Sequence, residues 1–314
     1  MFKSLILLPI LFLAGACTKK NKVTTDGTIV TTIGMIADVT REIAGDKQEV
    51  INLIGEGIDP HTHKPLKSEV DRIQNAELVL YNGLLLEGKM GTLLNTRKEK
   101  GNPVVAVTEG LEDVELIGDA DHPDPHLWMD VSLWTKVAGK IGGELIRHDS
   151  ENSDHYTQRL AEYQKHLTDL HTHALMVFPT IPPGQRVLVT AHDAFSYLGR
   201  AYGIEVRGIQ GISTESEAGT KDINDLVDHL VEKKIPAIFV ESSVSDKSVK
   251  AVIEGAAQKG HTVKIGGELF SDAMGQPGTY EGTYIGMMDH NITTIVNGLG
   301  GTAPKNGFQG KLND

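Results

Sequence analysis

Two Asp-Pro-His tripeptides stand in this chain, Asp59-Pro60-His61 and Asp124-Pro125-His126. Proline holds its own φ at about −65° and pushes the residue before it to extended backbone, so each histidine leaves the chain in a preset direction. Neutral imidazole is the commonest side-chain metal ligand, and two preset imidazoles in one chain point to a metal. Two more candidates lie downstream: His192 in Thr190-Ala191-His192-Asp193-Ala194-Phe195 and Asp272 in Phe270-Ser271-Asp272-Ala273. Three histidines and one aspartate would make a closed site of nitrogen and oxygen donors.

The elements that must position these residues follow from composition and periodicity. A chain of 314 residues is long enough for two domains, each with its own core. A hydrophobic content of 39%, 23% charged residues and 34 glycines describe a soluble globular protein rich in turns, and the class expected is α/β. The net charge of −12 excludes a nucleic-acid partner, which needs a basic footprint to displace counterions. A monomer is expected.

Residues 1–16 read as an export signal: Lys3 supplies a basic start, and Leu5 to Ala14 form an apolar run too short to span a bilayer. Small residues then lead to Cys17, the only cysteine, whose expected use is chemical attachment since no internal disulfide is open to it. The segment resembles the bacterial lipoprotein box, which implies acylation of Cys17, although Ala14 stands where that box usually has a larger aliphatic residue. Cleavage after Ala16 and release as a periplasmic protein is the alternative. Residues 17–27 are polar and aperiodic, as a tether would be.

From residue 28 strands and helices alternate. Strands are expected at Thr28 to Thr32, Glu49 to Ile54, Leu78 to Tyr81 and Val104 to Val107, with helices at Met35 to Ile43, Ser68 to Asn75 and Glu87 to Arg97. A helix follows from Val131 to Arg147, and then a run without internal proline or glycine from Ser153 to Phe178, roughly 38 Å long if helical throughout. After Pro182-Pro183-Gly184 the alternation resumes: strand Val187 to Thr190, helix Ala194 to Ala201, a mixed Val206 to Ile212, helix Lys221 to Lys233, strand Ala237 to Val240, helix Asp246 to Lys259, strand Thr262 to Ile265 and helix Thr283 to Leu299. The fold expected is two similar lobes, 28–150 and 181–314, each a mostly parallel sheet flanked by helices, joined by one long rigid helix over 151–180. Ligands collect outside the carboxyl ends of strands in open α/β sheets, so facing lobes would bring the four candidates into one cleft.

Four ordered blocks resemble the metal-binding, solute-binding lipoproteins of bacterial zinc and manganese ABC importers. They are Gly57-Ile58-Asp59-Pro60-His61, Asp124-Pro125-His126-Leu127-Trp128-Met129-Asp130, Thr190 to Leu198, and Leu269-Phe270-Ser271-Asp272-Ala273-Met274-Gly275, supported by Ile212-Ser213-Thr214-Glu215 and Phe239-Val240-Glu241-Ser242-Ser243. The resemblance implies two lobes bridged by a rigid helix, with His61, His126, His192 and Asp272 as ligands of a transported divalent ion. It implies a permease partner in the inner membrane and no enzymatic turnover. Zinc-specific members often carry a long histidine-rich loop before the second ligand, whereas Glu112 to Asp124 is short and holds only His122; manganese-dedicated members often have glutamate at the third ligand, where this chain has His192. The cargo therefore stays open between zinc and manganese, with ferrous iron a further candidate.

A zinc-dependent hydrolase would also use three histidines, with an open position for an activated water, and Asp272 as fourth ligand would close that position. A surface adhesin displayed by its lipid anchor is a third reading. His63 is two places from His61 and expected outside the ligand set; His122 is expected to be a solvated loop residue ahead of an accessory metal collector. On a helix His171 and His173 diverge by about 200° and are expected at the surface. Glu241 reads first as an inter-lobe ion pair and second as an acceptor orienting a ligand histidine. With imidazole at its reference pKa of about 6.5, protons should compete with metal as the pH drops from about 7 to 5.

Overall fold

The computed structural model describes residues 28–111, 116–118 and 121–312. The expected signal and tether, with Cys17, lie outside the described residues.

Short β-branched segments form the first sheet: β1 (Thr28–Thr31), β2 (Glu49–Asn52), β3 (Leu78–Tyr81) and β4 (Val104–Ala106), in the order β2-β1-β3-β4 and all parallel. Their crossovers carry α1 (Gly34–Ala44), α2 (Lys67–Asn75) and α3 (Gly91–Glu99). Gly45 ends α1 at φ 60°, a conformation that costs glycine little. α4 (Val131–His148) starts at Asp130, whose carboxylate accepts from the Ser132 and Leu133 backbone N–H groups. α5 (Ser153–Val177) is the continuous 25-residue helix expected from the unbroken run.

The second series is β5 (Val187–His192), α6 (Ser196–Tyr202), β6 (Glu205–Gln210), α7 (Thr220–Lys233), β7 (Ala237–Glu241), α8 (Lys247–Gln258), β8 (Lys264–Leu269) and α9 (Tyr284–Gly298). Parallel ladders join β5 to β6 and β7 to β8, and β5 lies beside β7. Parallel sheets flanked by helices on either side of α5 match the architecture expected.

Three boundaries differ from the expectation, the first two for a packing reason. β6 is a full strand because pairing with β5 carries it from Glu205 to Gln210. β8 runs past the expected end at Ile265, through Gly266 and Gly267 to Leu269. A Cβ at Gly266 would lie 2.6 Å from the Phe239 ring, so the glycine makes room for a buried aromatic on β7. The helix expected from Glu87 opens as a tight turn over Gly88–Met90 and becomes α-helical at Gly91.

The core is also less divided than expected. One continuous apolar cluster runs through the first lobe and α5 into Tyr197, Phe239 and Tyr284 of the second series; a smaller one fills the space beneath α7 and α8. α5 packs against α1, α4 and α9, so it touches both lobes. Tyr284 at the start of α9 stacks on Trp134 of α4, with centroids 5.5 Å apart, and its hydroxyl donates to the Trp128 carbonyl at 2.7 Å. Its backbone N–H donates to Asp38 of α1 at 2.9 Å. Burial raises the Asp38 carboxyl to about 6.

A shared core and an unbroken strut resist wide hinge opening, because packed interfaces deform by small slides rather than large rotations. Small-angle scattering of metal-free and metal-loaded protein is expected to give nearly the same radius of gyration. A large contraction on loading would contradict a rigid strut.

Candidate metal centre

All four candidate side chains sit at the carboxyl ends of strands or in the loops beyond them. His192 is the last residue of β5, and Asp272 stands three residues past β8. His61 lies in the loop from β2 to α2, where Asp59 Oδ1 accepts from its backbone N–H at 2.8 Å. Gly88, at φ 36°, backs onto that loop: a Cβ there would come within 2.5 Å of the His61 carbonyl oxygen. His126 precedes the turn Leu127–Met129, and the Trp128 indole N–H donates to the Ser271 carbonyl at 2.9 Å, tying the His126 turn to the Asp272 loop.

The side chains converge. One donor atom from each of His61, His126, His192 and Asp272 falls within 4.8 Å of all the others, and all four residues are buried. Nε2 of His126 and Nε2 of His192 each lie 3.3 Å from an Asp272 oxygen, and His61 Nε2 is 3.3 Å from His126 Nε2 and 3.9 Å from Asp272 Oδ2. A tetrahedron around zinc, with bonds of about 2.05 Å, has edges of roughly 3.3 Å. His192 Nε2 and both Asp272 oxygens are buried without a hydrogen-bond partner. Buried polar atoms left unpaired are unfavourable, and here they face one point, as donors awaiting a cation do.

Two carboxylates orient the imidazoles from behind. Glu241, the last residue of β7, accepts from the His192 Nδ1 at 2.6 Å and from its backbone N–H at 2.8 Å. Asp124 Oδ1 takes the same two positions on His126, at 2.7 Å from Nδ1 and 2.9 Å from the backbone nitrogen. Each carboxylate holds a proton on Nδ1 and leaves Nε2 facing the centre. Glu241 is therefore no ordinary inter-lobe ion pair, which corrects the first reading of it. The role of Asp124 was not read from the sequence at all, although a carboxylate two places before a histidine was a visible signal.

The electrostatics split the three rings. Burial alone lowers the pKa of His126, but its hydrogen bond to Asp124 and the Asp272 carboxylate facing its Nε2 outweigh that and raise it to about 9. Burial likewise opposes His192, which Glu241 and Asp272 hold well above the ordinary range. His61 lacks such a carboxylate on its ring, and burial pushes it down to about 4. Burial raises Asp272, yet the two cationic rings prevail and keep it well below the usual carboxylate range. Proton competition thus begins near pH 9 instead of just below neutrality, since an anionic shell stabilises imidazolium.

Other expected positions lie apart. His63 binds Glu69 at 2.9 Å and turns away from the centre. His122 is exposed and lines a cavity of about 290 Å³ above His61, with Leu84, Leu85, Pro123 and Pro125. Leu84 and Leu85 adopt φ of 51° and 67°, strained values for leucine, over the buried Glu87 carboxylate that accepts from Asn82 and Gly83 N–H groups. His171 meets the Tyr202 hydroxyl at 3.2 Å, and His173 is buried against Phe308, so the pair diverges as expected but only partly at the surface. A second cavity, of about 400 Å³ and lined by Arg41, Asn52 and Glu56, reaches Asp272 from the other side.

Comparisons with known proteins show the family and the fold. Residues 29–298 match the family of the periplasmic zinc-uptake complex component A. The chain is 44% identical over 273 residues to the manganese-binding lipoprotein MntA of Bacillus subtilis, spanning 86% of this chain and 89% of that protein. It is 45% identical over 280 residues to the zinc-binding protein TroA of Treponema pallidum, spanning 86% and 88%. The metal ABC transporter substrate-binding lipoprotein FimA of Streptococcus parasanguinis is 34% identical over 293 residues, spanning 90% and 93%. The solved structure of TroA superposes with a TM-score of 0.84 at 44% identity, over 87% of this chain and 99% of that one.

The raised pKa values of His126 and His192 have a measurable consequence. The upward shifts favour the protonated form of both rings in the metal-free protein, and an ion bound through their Nε2 atoms would have to displace those protons. Affinity therefore rises as the pH climbs toward about 9 and falls below it. Calorimetric titration of zinc at pH 7.5, in buffers of different ionisation enthalpy, is expected to report about two protons released per ion. Glu241→Gln and Asp124→Asn should each lower that count. A release near zero in the unsubstituted protein would contradict the charged state assigned to these rings.

Proposed function

The chain belongs to the family of periplasmic zinc-uptake components, and from that membership we propose that His61, His126, His192 and Asp272 together hold its cargo, one zinc or manganese ion. The protein is the solute-binding component of an ABC metal importer and not an enzyme; it captures a divalent ion outside the cytoplasm and delivers it to the permease. The observation that carries the site assignment is the convergence of four buried donor atoms within 4.8 Å between the two lobes. Relatives of similar identity are named for manganese in one case and zinc in another, so the name of neither decides the cargo.

The donor set also argues against hydrolysis. With Asp272 occupying the fourth position, no vacancy is left for an activated water, and burial of all four residues excludes a bulky substrate. Residues 28–150 and 181–314 then act as two jaws on the strut of 151–180, as a monomer, with Cys17 as the point of lipid attachment.

Titration with zinc is expected to show one tight equivalent per chain, abolished or greatly weakened in His126→Ala, His192→Ala and Asp272→Ala. Three imidazoles favour zinc over manganese by the general order of divalent affinities, so zinc should displace manganese from the loaded chain and not the reverse. Full zinc affinity in the histidine variants would contradict the site assignment.

A further inference from the structure

His61 is fixed differently from the other two histidines. A carboxylate grips the Nδ1 of His126 and of His192, whereas among the described residues no carboxylate hydrogen-bonds the His61 Nδ1. His61 is also the one of the three that lines the 290 Å³ cavity. Its ring is therefore held through the backbone of its loop, and whatever holds the loop holds the ring.

Asp59 holds that loop. Its Oδ1 accepts from the His61 N–H at 2.8 Å, while its Oδ2 accepts from the Thr62 hydroxyl at 3.1 Å and from the Thr214 hydroxyl. Thr214 stands in the connection from β6 to α7, on the opposite lobe. One carboxylate thus joins the His61 loop to the far side of the cleft through a bond that does not involve the ion.

We propose that Asp59 is a positioning residue: by bridging the His61 backbone and the Thr214 hydroxyl it keeps His61 closed over the other three side chains, and so sets how fast a bound ion leaves. The proposal rests on the four-residue site assigned above. Withdrawal of His61 uncovers the ion toward the cavity, while His126 and His192 stay clamped by Asp124 and Glu241. The bond to Thr214 must break before His61 can withdraw, so its strength enters the release rate directly.

The test is stopped-flow release of zinc from the loaded full chain into excess chelator, for wild type, Thr214→Val, Thr214→Ser and Asp59→Asn. Valine keeps the shape of threonine and removes the hydroxyl; it should speed release about tenfold, the effect of one lost hydrogen bond to a charged acceptor. Serine restores the donor and should restore the wild-type rate. Asparagine keeps one acceptor oxygen of two and should also release faster. Hydrogen exchange should rise in residues 55–65 of Thr214→Val and stay unchanged in the helices packed around the core, whereas a general loss of packing would raise it throughout. A Thr214→Val rate equal to wild type, or a Thr214→Ser rate equal to that of valine, would overturn the proposal. Equilibrium titration of the same proteins keeps the two assignments separate: one zinc equivalent in wild type upholds the site whichever way the release rates fall.

Discussion

Asp272 carries the constraint on which the rest of the structure depends. Its carboxylate is buried, has no hydrogen-bond partner of its own, and faces three imidazoles. Taking one charge out of water costs several kcal/mol unless opposite charge is brought to it. In the metal-free chain that charge comes as protons on His126 and His192, and in the loaded chain it would come as the ion. The same desolvated anion would therefore draw a cation into the site and make its binding answer to pH. Asp124 and Glu241 extend the logic outward, each offering an acceptor to the far side of a ring.

Such a cluster is stable only if nothing around it can relax, and the scaffold is arranged to that end. The Trp128 indole spans from the His126 turn to the Ser271 carbonyl, one residue from Asp272. Tyr284 spans from α9 to the Trp128 carbonyl and stacks on Trp134. Both bridges run through one apolar core shared by the lobes and α5, so a displacement of one jaw must disturb packed aromatic rings. Motion is left to the loops, and the His61 loop is the one that carries a candidate ligand without a carboxylate on its ring.

Much of this was readable from residue order. Proline and glycine punctuation with the 2.0 and 3.6 periodicities located the alternating elements, and the uninterrupted stretch from Ser153 onward gave the strut. The two Asp-Pro-His tripeptides and the downstream His192 and Asp272 named the converging side chains. What could not be read was the use of each neighbour. Asp59 and Asp124 occupy the same place in identical tripeptides, yet Asp124 reaches both the ring and the backbone of His126, while Asp59 reaches only the backbone of His61 and then Thr214 across the cleft. That difference comes from tertiary contacts roughly 150 residues apart in sequence, which local patterning does not encode. The shift of β8 was hidden for a related reason: Gly266 looks like a turn until Phe239 is known to fill the space beside it.

The convergence of three imidazoles and one carboxylate on a single ion is tested most directly by X-ray absorption at the zinc edge of the loaded protein. Three imidazole rings should show in the multiple-scattering pattern, with nitrogen and oxygen neighbours at about 2.0–2.2 Å and no sulfur. The spectrum should lose one imidazole in His61→Ala and keep the other two. Two or fewer imidazoles in the unsubstituted protein, or a first shell completed mainly by water, would contradict coordination by His61, His126, His192 and Asp272.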